Sequence, residues 1–155
     1  MKEHIQYMRA ALEEAKKALP CGDVPIGAVI VKEGRIIAAG YNMREQKQCA
    51  VAHAEIVAIQ NACEKLGNWQ LPGCSMYVTV EPCPMCAGAL LNARIKQVFF
   101  GAYQENTGAV GSKFNLFYDF VWDNPVAFRG GILEAECALL VRTFFEDLRS
   151  ASERK

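Results

Sequence analysis

Two short motifs carry three side chains that bind soft metal ions and one carboxylate beside them. The first motif is His53-Ala54-Glu55, and the second is Glu81-Pro82-Cys83-Pro84-Met85-Cys86, which follows about 30 residues later. One imidazole and two thiols are a ligand set of catalytic zinc sites, which keep a fourth position open. The fold must therefore bring the two motifs together, and we predict that His53, Cys83 and Cys86 hold one zinc ion per chain.

The carboxylate of Glu55 suits the proton transfers that hydrolysis at such a centre requires. Zinc lowers the pKa of a water at its open position to about 7, so that a zinc-activated hydroxide forms near neutral pH. Within a helix, Glu55 points about 200° away from His53 and does not share its metal-binding face. It can instead flank the water and shuttle its proton to a leaving group. We therefore predict that Glu55 is the catalytic residue.

The protonation of the two thiols follows from where they lie along the chain. Cys83 and Cys86 follow an apolar run that predicts a strand, and Pro84 is typical of the first turn of a helix. A helix N-terminus presents unpaired N–H groups and a partial positive charge, which lower the pKa of a nearby thiol. Both cysteines are therefore expected to bind metal as thiolates.

Composition narrows the class of protein. The 155 residues, 52% of them hydrophobic, predict a single compact domain spanning residues 1–155. No apolar run reaches the roughly 18 residues of a membrane span, and the N-terminus lacks the apolar stretch of a secretory signal. Seven cysteines, an odd number, then predict reduced thiols in the cytoplasm. The net charge is zero, so any basic face that binds nucleic acid must be local.

Apolar periodicity predicts an α/β fold. Residues 4–19 show an apolar stripe at three- and four-residue steps and predict a helix. Apolar runs at 26–31 and 35–41, separated by Glu33-Gly34, predict an antiparallel hairpin with both strands buried on two faces. The later expectations are a loop at 42–52, a helix at 53–66 closed by Gly67, a strand at 75–80, a helix at 84–94, a strand at 97–101, an irregular connection over 102–125, a strand at 126–129 and a helix at 133–150. This order predicts a three-layer α/β/α sandwich around a five-stranded mixed sheet.

At these motifs the chain resembles the TadA-type tRNA adenosine deaminases, zinc-dependent members of the cytidine deaminase superfamily. His-x-Glu followed by Pro-Cys-x-x-Cys is the metal signature of zinc deaminases that act on nucleobases. The resemblance runs through most of the chain, over segments 24–31, 52–56, 79–89, 101–103, 107–112 and 131–137. Of these, the stretch Thr107-Gly108-Ala109-Val110-Gly111-Ser112 points to tRNA editing and not merely to the superfamily.

The resemblance implies a cytidine-deaminase-like fold and a homodimer that hydrolyses the wobble adenosine of a tRNA anticodon stem-loop to inosine, releasing ammonia. It assigns Asn42 to holding the purine, Ala54 to a backbone contact, Val24 and Pro25 to the base pocket, and Phe144 and Phe145 to the border with the RNA. Asn42 fits equally well as a turn residue after a strand. Adjacent aromatic residues on an amphipathic helix, such as Phe144 and Phe145, also fit a core position.

Three other interpretations use the same residues. A zinc deaminase of a free base or nucleoside, of the guanine or cytosine type, would explain the neutral charge. A thiol redox protein would use Cys83 and Cys86 at a helix start, but it leaves His53 and Glu55 without a role. A structural zinc module needs a fourth protein ligand, for which Cys49, four residues before His53, is the nearby candidate.

Overall fold

The structure is a computed structural model that describes residues 1–119 and 125–155. The helices are α1 (Lys2–Lys16), α2 (Arg44–Lys47), α3 (Ala54–Leu66), α4 (Pro84–Asn92), α5 (Leu116–Asp119) and α6 (Glu134–Glu153). The strands are β1 (Gly27–Lys32), β2 (Arg35–Tyr41), β3 (Cys74–Val80), β4 (Gln97–Ala102) and β5 (Ala127–Arg129). Part of the connection predicted over 102–125 lies outside the described residues.

The five strands form one mixed sheet, as predicted, in the order β2-β1-β3-β4-β5. Strand β1 pairs antiparallel with both β2 and β3, whereas β3, β4 and β5 run parallel. A parallel connection needs a crossover, and α4 supplies it between β3 and β4. The crossover therefore returns the chain across one face of the sheet, and α4 begins just past the end of β3.

The hairpin of β1 and β2 closes through a two-residue turn. Glu33 and Gly34 have φ angles of 50° and 75°, the positive values that a type I′ turn requires at both positions. Strand β1 is buried nearly throughout, as predicted. The prediction that β2 is buried on both faces is wrong, since its first two residues are exposed and only Gly40 is fully buried. The reason is that β2 lies at the edge of the sheet, with a neighbour on one side only.

Helices cover both faces of the sheet, which confirms the three-layer architecture. Along β1, Ala28 and Ile30 pack into a cluster with residues of α3 and α4, and Val29 and Val31 pack into a second cluster with residues of α1 and α6. This alternation is the period of two that a strand imposes on its side chains. Each fully buried Ile or Val contributes about 1.5–3 kcal/mol through removal of apolar surface from water.

Several helix boundaries differ from the prediction. Helix α1 ends at Lys16, and Leu19–Cys21 form a separate 3-10 turn. Helix α2 lies within the segment predicted as a loop. The sequence pattern missed it because its cap comes from a distant residue: the Asp23 carboxylate accepts the Glu45 and Gln46 N–H groups at 2.7 and 3.1 Å. Along the parts of the chain that the structure describes, no helix is both long enough and apolar enough to cross a membrane.

Candidate active site

The three predicted ligands lie at the starts of two helices. His53 is the residue just before α3, Cys83 is the residue just before α4, and Cys86 lies in the first turn of α4. Pro84 opens α4, where its missing N–H costs no hydrogen bond. The N-termini of α3 and α4 thus converge, as predicted, and each brings partial positive charge to the site.

The separations of the ligand atoms match a tetrahedral zinc site. The donor atoms of His53, Cys83 and Cys86 all lie within 4.8 Å of one another. His53 Nδ1 lies 3.7 Å from Cys83 Sγ and 3.5 Å from Cys86 Sγ. Zinc bonds of about 2.3 Å to sulfur and 2.0–2.1 Å to nitrogen, at tetrahedral angles, separate nitrogen from sulfur by about 3.6 Å. The two nitrogen–sulfur separations therefore fit a bound zinc ion.

Cys49 does not complete this group. Among the described residues, the cluster that could hold a metal ion consists of His53, Cys83 and Cys86 alone. A structural zinc site would need a fourth protein ligand. The arrangement of three donors is therefore the one expected of a catalytic site, and Cys49 gives no support to the structural alternative.

The two thiols differ in their affinity for a proton. A hydrogen bond from Cys86 lowers the pKa of Cys83, and the same bond together with burial raises the pKa of Cys86. In the metal-free protein only the pKa of Cys83 is lowered, because two adjacent thiolates repel and one proton is shared between them. That both cysteines bind a metal as thiolates stays a prediction. The hydrogen bond to Cys83 also raises the pKa of His53. A bound cation would replace the shared proton, so we expect metal binding to release protons.

Glu55 lies on the same cavity as the ligand group. It is the second residue of α3, is 4% exposed, and lines a cavity of about 100 Å³ together with His53 and Cys83. Burial raises the pKa of Glu55, and a hydrogen bond from its own backbone N–H offsets part of that rise. Because His53 precedes the helix, the angle expected between two helical residues does not apply, yet both side chains reach the cavity.

Of the residues predicted to bind substrate, Asn42 and Ala54 line the cavity. Asn42 is 7% exposed; its Nδ2 donates to the Val24 carbonyl and its Oδ1 accepts the Arg44 N–H, both at 3.2 Å. It therefore acts as a turn residue and also faces the cavity, so both interpretations of Asn42 remain in place. One amide N–H and one lone pair stay available to a ligand.

The other four predicted residues lie outside the cavity lining. Val24 and Pro25 come just before Ile26, which does line it. Phe144 and Phe145 lie on α6, with ring centroids 5.2 Å apart. Phe144 is half-buried and Phe145 is 42% exposed. Their contacts with substrate stay predictions.

Sequence reasoning did not assign five of the cavity residues. These are Ile26, Val80, Glu81, Gln104 and Thr107. Glu81 belongs to the second motif and Thr107 opens the stretch that points to tRNA editing, so both segments carried a signal. Gln104 reaches the cavity through a hydrogen bond to Glu81, 23 residues away in the chain, and no local pattern predicts such a contact.

Comparison with known proteins defines the class. A family model for MafB19-like deaminases matches residues 2–120, more than half of the chain. Together with the sheet topology and the His-Cys-Cys group, this match defines a deaminase with a cytidine-deaminase-like fold.

Individual relatives identify the family. The chain is 46% identical over 143 residues to a tRNA-specific adenosine deaminase from Bacillus subtilis, covering 92% of this chain and 89% of the relative. A solved structure from work on A-to-I editing by tRNA:A34 deaminases at the wobble position of transfer RNA is 41% identical. It superimposes with a TM-score of 0.83 and covers 87% of this chain and 98% of that one. The chain belongs to the tRNA-specific adenosine deaminase family, which confirms the resemblance seen in the sequence.

Deaminases of free bases share the fold at greater distance. The structure of a guanine deaminase from Bacillus subtilis is 33% identical, with a TM-score of 0.62 over 94% of this chain and 92% of that one. Both measures are lower than for the tRNA:A34 deaminase structure. The comparison therefore favours the tRNA interpretation over the free-base alternative.

Proposed function

We propose that the chain hydrolyses the wobble adenosine of a tRNA anticodon stem-loop to inosine and releases ammonia. The observation that carries this proposal is a buried carboxylate, Glu55, in one cavity with a three-ligand metal group. The chain around that cavity is 46% identical to a tRNA-specific adenosine deaminase. The deamination of adenosine is a hydrolysis, and this constellation is suited to activating water.

The metal in this proposal is zinc, one ion per chain, held by His53, Cys83 and Cys86. Their nitrogen-and-sulfur donor set and their separations fit zinc. When bound, zinc supplies a water molecule that gives up its proton near neutral pH. The first turn of α4, the residue before it and the residue before α3 fix the three donors in advance, so that little ordering remains to be done when the metal binds.

Glu55 moves the protons. Hydrolysis requires removal of a proton from the attacking water and then delivery of a proton to the departing amine. Burial raises the pKa of Glu55, which makes its carboxylate more ready to hold a proton between these two steps. One side chain therefore performs both transfers, and the ammonia leaves from the base.

The proposed substrate contacts come from residues that line the cavity and from residues outside its lining. Asn42 holds the purine through its remaining donor and acceptor, and Ala54, buried at the start of α3, contributes a backbone contact. Val24 and Pro25 support the wall at Ile26. The exposed ring of Phe145 and the half-buried ring of Phe144 border the RNA, where an aromatic face can stack on a base.

The chain works as a cytoplasmic homodimer in this proposal. All seven cysteines, each within the described residues, have free thiols, which suits a reducing compartment. Two exposed apolar side chains beside the site supply surface for contact with the second chain. Met85 is 36% exposed on the first turn of α4, and Val51 is 50% exposed two residues before His53. Light scattering on the purified protein tests the dimer directly.

A substrate panel tests the proposed reaction. The zinc-loaded protein is incubated with an anticodon stem-loop containing the wobble adenosine, and separately with free guanine, cytosine and adenosine. We expect inosine in the stem-loop and at most trace ammonia from the free bases and the nucleoside. Ammonia from guanine or cytosine, with an unchanged stem-loop, would instead establish a free-base deaminase.

A further inference from the structure

A second buried carboxylate borders the cavity and has no place in the reaction above. Glu81 is 3% exposed and accepts four hydrogen bonds from the segment 104–112. Its Oε1 accepts the Gln104 N–H at 3.2 Å and the Ser112 hydroxyl. Its Oε2 accepts the Val110 and Ser112 N–H groups, each at 3.0 Å. These four donors fill the roughly four acceptor sites of one carboxylate, and all come from one segment, so this segment is built around Glu81.

The segment has the shape that this carboxylate needs. A methyl group at Gly108 would overlap the Glu81 carboxylate and the Gln104 carbonyl, so only glycine allows the close approach. The Gly108 N–H donates to the Gln104 carbonyl at 2.8 Å, and the Ala109 N–H donates to the Pro82 carbonyl at 2.9 Å. The segment is therefore attached both to the Glu81 side chain and to the backbone beside it.

These contacts connect the metal group, formed by His53, Cys83 and Cys86, to one wall of the cavity. Glu81 lies two residues before Cys83, and its own N–H donates to the carbonyl of Ala102, at the end of β4, at 2.8 Å. Gln104 and Thr107 belong to the cavity lining. The Glu81 side chain thus fixes the position of the 104–112 segment relative to the turn that carries Cys83 and Cys86.

We propose that Glu81 is a positioning residue for substrate binding. It holds Gln104 and Thr107 against the nucleotide that enters beside the metal group, and it takes no part in proton transfer. The inference rests on the proposed function for its substrate, but the anchoring itself is a property of the free protein. Loss of the carboxylate lets the wall move, so substrate binding weakens while the chemistry at the metal group continues.

The test uses Glu81→Gln in the full-length, zinc-loaded protein. The amide has the same shape, but its NH2 group meets N–H donors instead of accepting from them. We expect KM for the stem-loop to rise about tenfold, kcat to stay within about threefold, and zinc content to be unchanged. The matched control is Tyr77→Phe, which deletes the buried hydroxyl that bonds His4 Nδ1 at 2.8 Å beneath α1. We expect the control to leave KM unchanged.

A second measurement reads the anchoring without any activity. Amide hydrogen exchange at Gln104, Val110 and Ser112 is expected to be faster in Glu81→Gln than in the unaltered protein, and unchanged in the control. If Glu81→Gln fails to fold, Ser112→Ala takes its place in the test. It removes one donor and keeps the carboxylate, so it is expected to raise KM by about two- to threefold.

Three results would overturn the inference: unchanged exchange at those amides, an unchanged KM, or a loss of turnover that follows loss of zinc. If the unaltered protein leaves the stem-loop intact, the proposed function fails, and the exchange result alone then decides whether Glu81 anchors the wall.

Discussion

Glu55 and Glu81 are the same residue type, are 4% and 3% exposed, and border the same cavity, yet their surroundings differ. Four donors from one segment converge on the Glu81 carboxylate. Around Glu55, burial outweighs the hydrogen bonds that favour the anion, and its pKa rises. Burial alone therefore does not decide what a carboxylate does.

The difference follows from the number of donors each carboxylate receives. A buried carboxylate with many donors is fixed in place and organises the backbone around it, as Glu81 does for the 104–112 segment. A buried carboxylate with fewer donors is costly to keep charged and is ready to take up a proton. In the proposed mechanism, Glu81 thus has a structural role and Glu55 a chemical one, although both border the same cavity.

The largest expected effect comes from removing a metal ligand while both carboxylates stay. His53→Ala and Cys83→Ala are each expected to lose bound zinc and to reduce turnover to background, because two remaining donors hold the ion weakly. Cys49→Ala is the matched control and is expected to keep both zinc and activity. Metal analysis beside an inosine assay measures this. Full zinc content in either ligand variant would show that the ligands are misassigned.

Replacing the chemical carboxylate comes next in size. Glu55→Gln is expected to keep zinc and to lower kcat by about 10³-fold, within the range by which general acid–base groups accelerate reactions. Single-turnover inosine formation on the stem-loop measures the loss. If Glu81→Gln lowered kcat more than Glu55→Gln does, the two roles would have to be exchanged.

A smaller effect on stability is expected at Glu81. Glu81→Gln removes acceptors from buried N–H groups and is expected to lower the free energy of unfolding by about 1–3 kcal/mol. Urea denaturation of the zinc-loaded protein gives the value. Stability equal to that of the unaltered protein would mean that the 104–112 segment finds other partners and that Glu81 does not anchor it.

In the metal-free protein, Glu55→Gln is expected to raise the free energy of unfolding, which is the opposite of the effect expected for Glu81→Gln. Burial raises the folded pKa of Glu55 above its ordinary value of 4.5, so the folded state binds more protons than the unfolded state above that pH. Stability due to the protonated carboxyl is present below pH 4.5 and is lost as pH rises towards the folded pKa. Thermal melts should therefore show Glu55→Gln gaining on the unaltered protein as pH rises. A constant difference across pH would contradict the raised pKa.

The sequence allowed the cluster of His53, Cys83 and Cys86 and the sheet to be predicted because their signals are local. His53 with Glu55, and Cys83 with Cys86, lie within single helix starts, and apolar runs marked the five strands. The edge position of β2 was not predictable, because pairing with one neighbour leaves no trace in the strand's own pattern. Helix α2 was missed because its cap, Asp23, lies 22 residues before Glu45.

The electrostatics and the second wall of the cavity needed the folded chain. The hydrogen bond with Cys83 and burial raise the pKa of Cys86, whereas the helix N-terminus alone was expected to lower it. The role of Glu81 depends on donors 23 to 31 residues further along the chain. The Cys86 effect needs a burial that the motif does not record, and the Glu81 contacts join distant parts of the chain.

The most direct test of the account is the origin of the oxygen in the product. The zinc-loaded protein is given the anticodon stem-loop in water labelled with oxygen-18, and the wobble nucleoside is analysed by mass spectrometry. We predict inosine with one labelled oxygen at carbon 6 and one ammonia released for each inosine formed. Unchanged adenosine at the wobble position, or inosine without the label, would contradict hydrolysis at the His53-Cys83-Cys86 group with Glu55 carrying the proton.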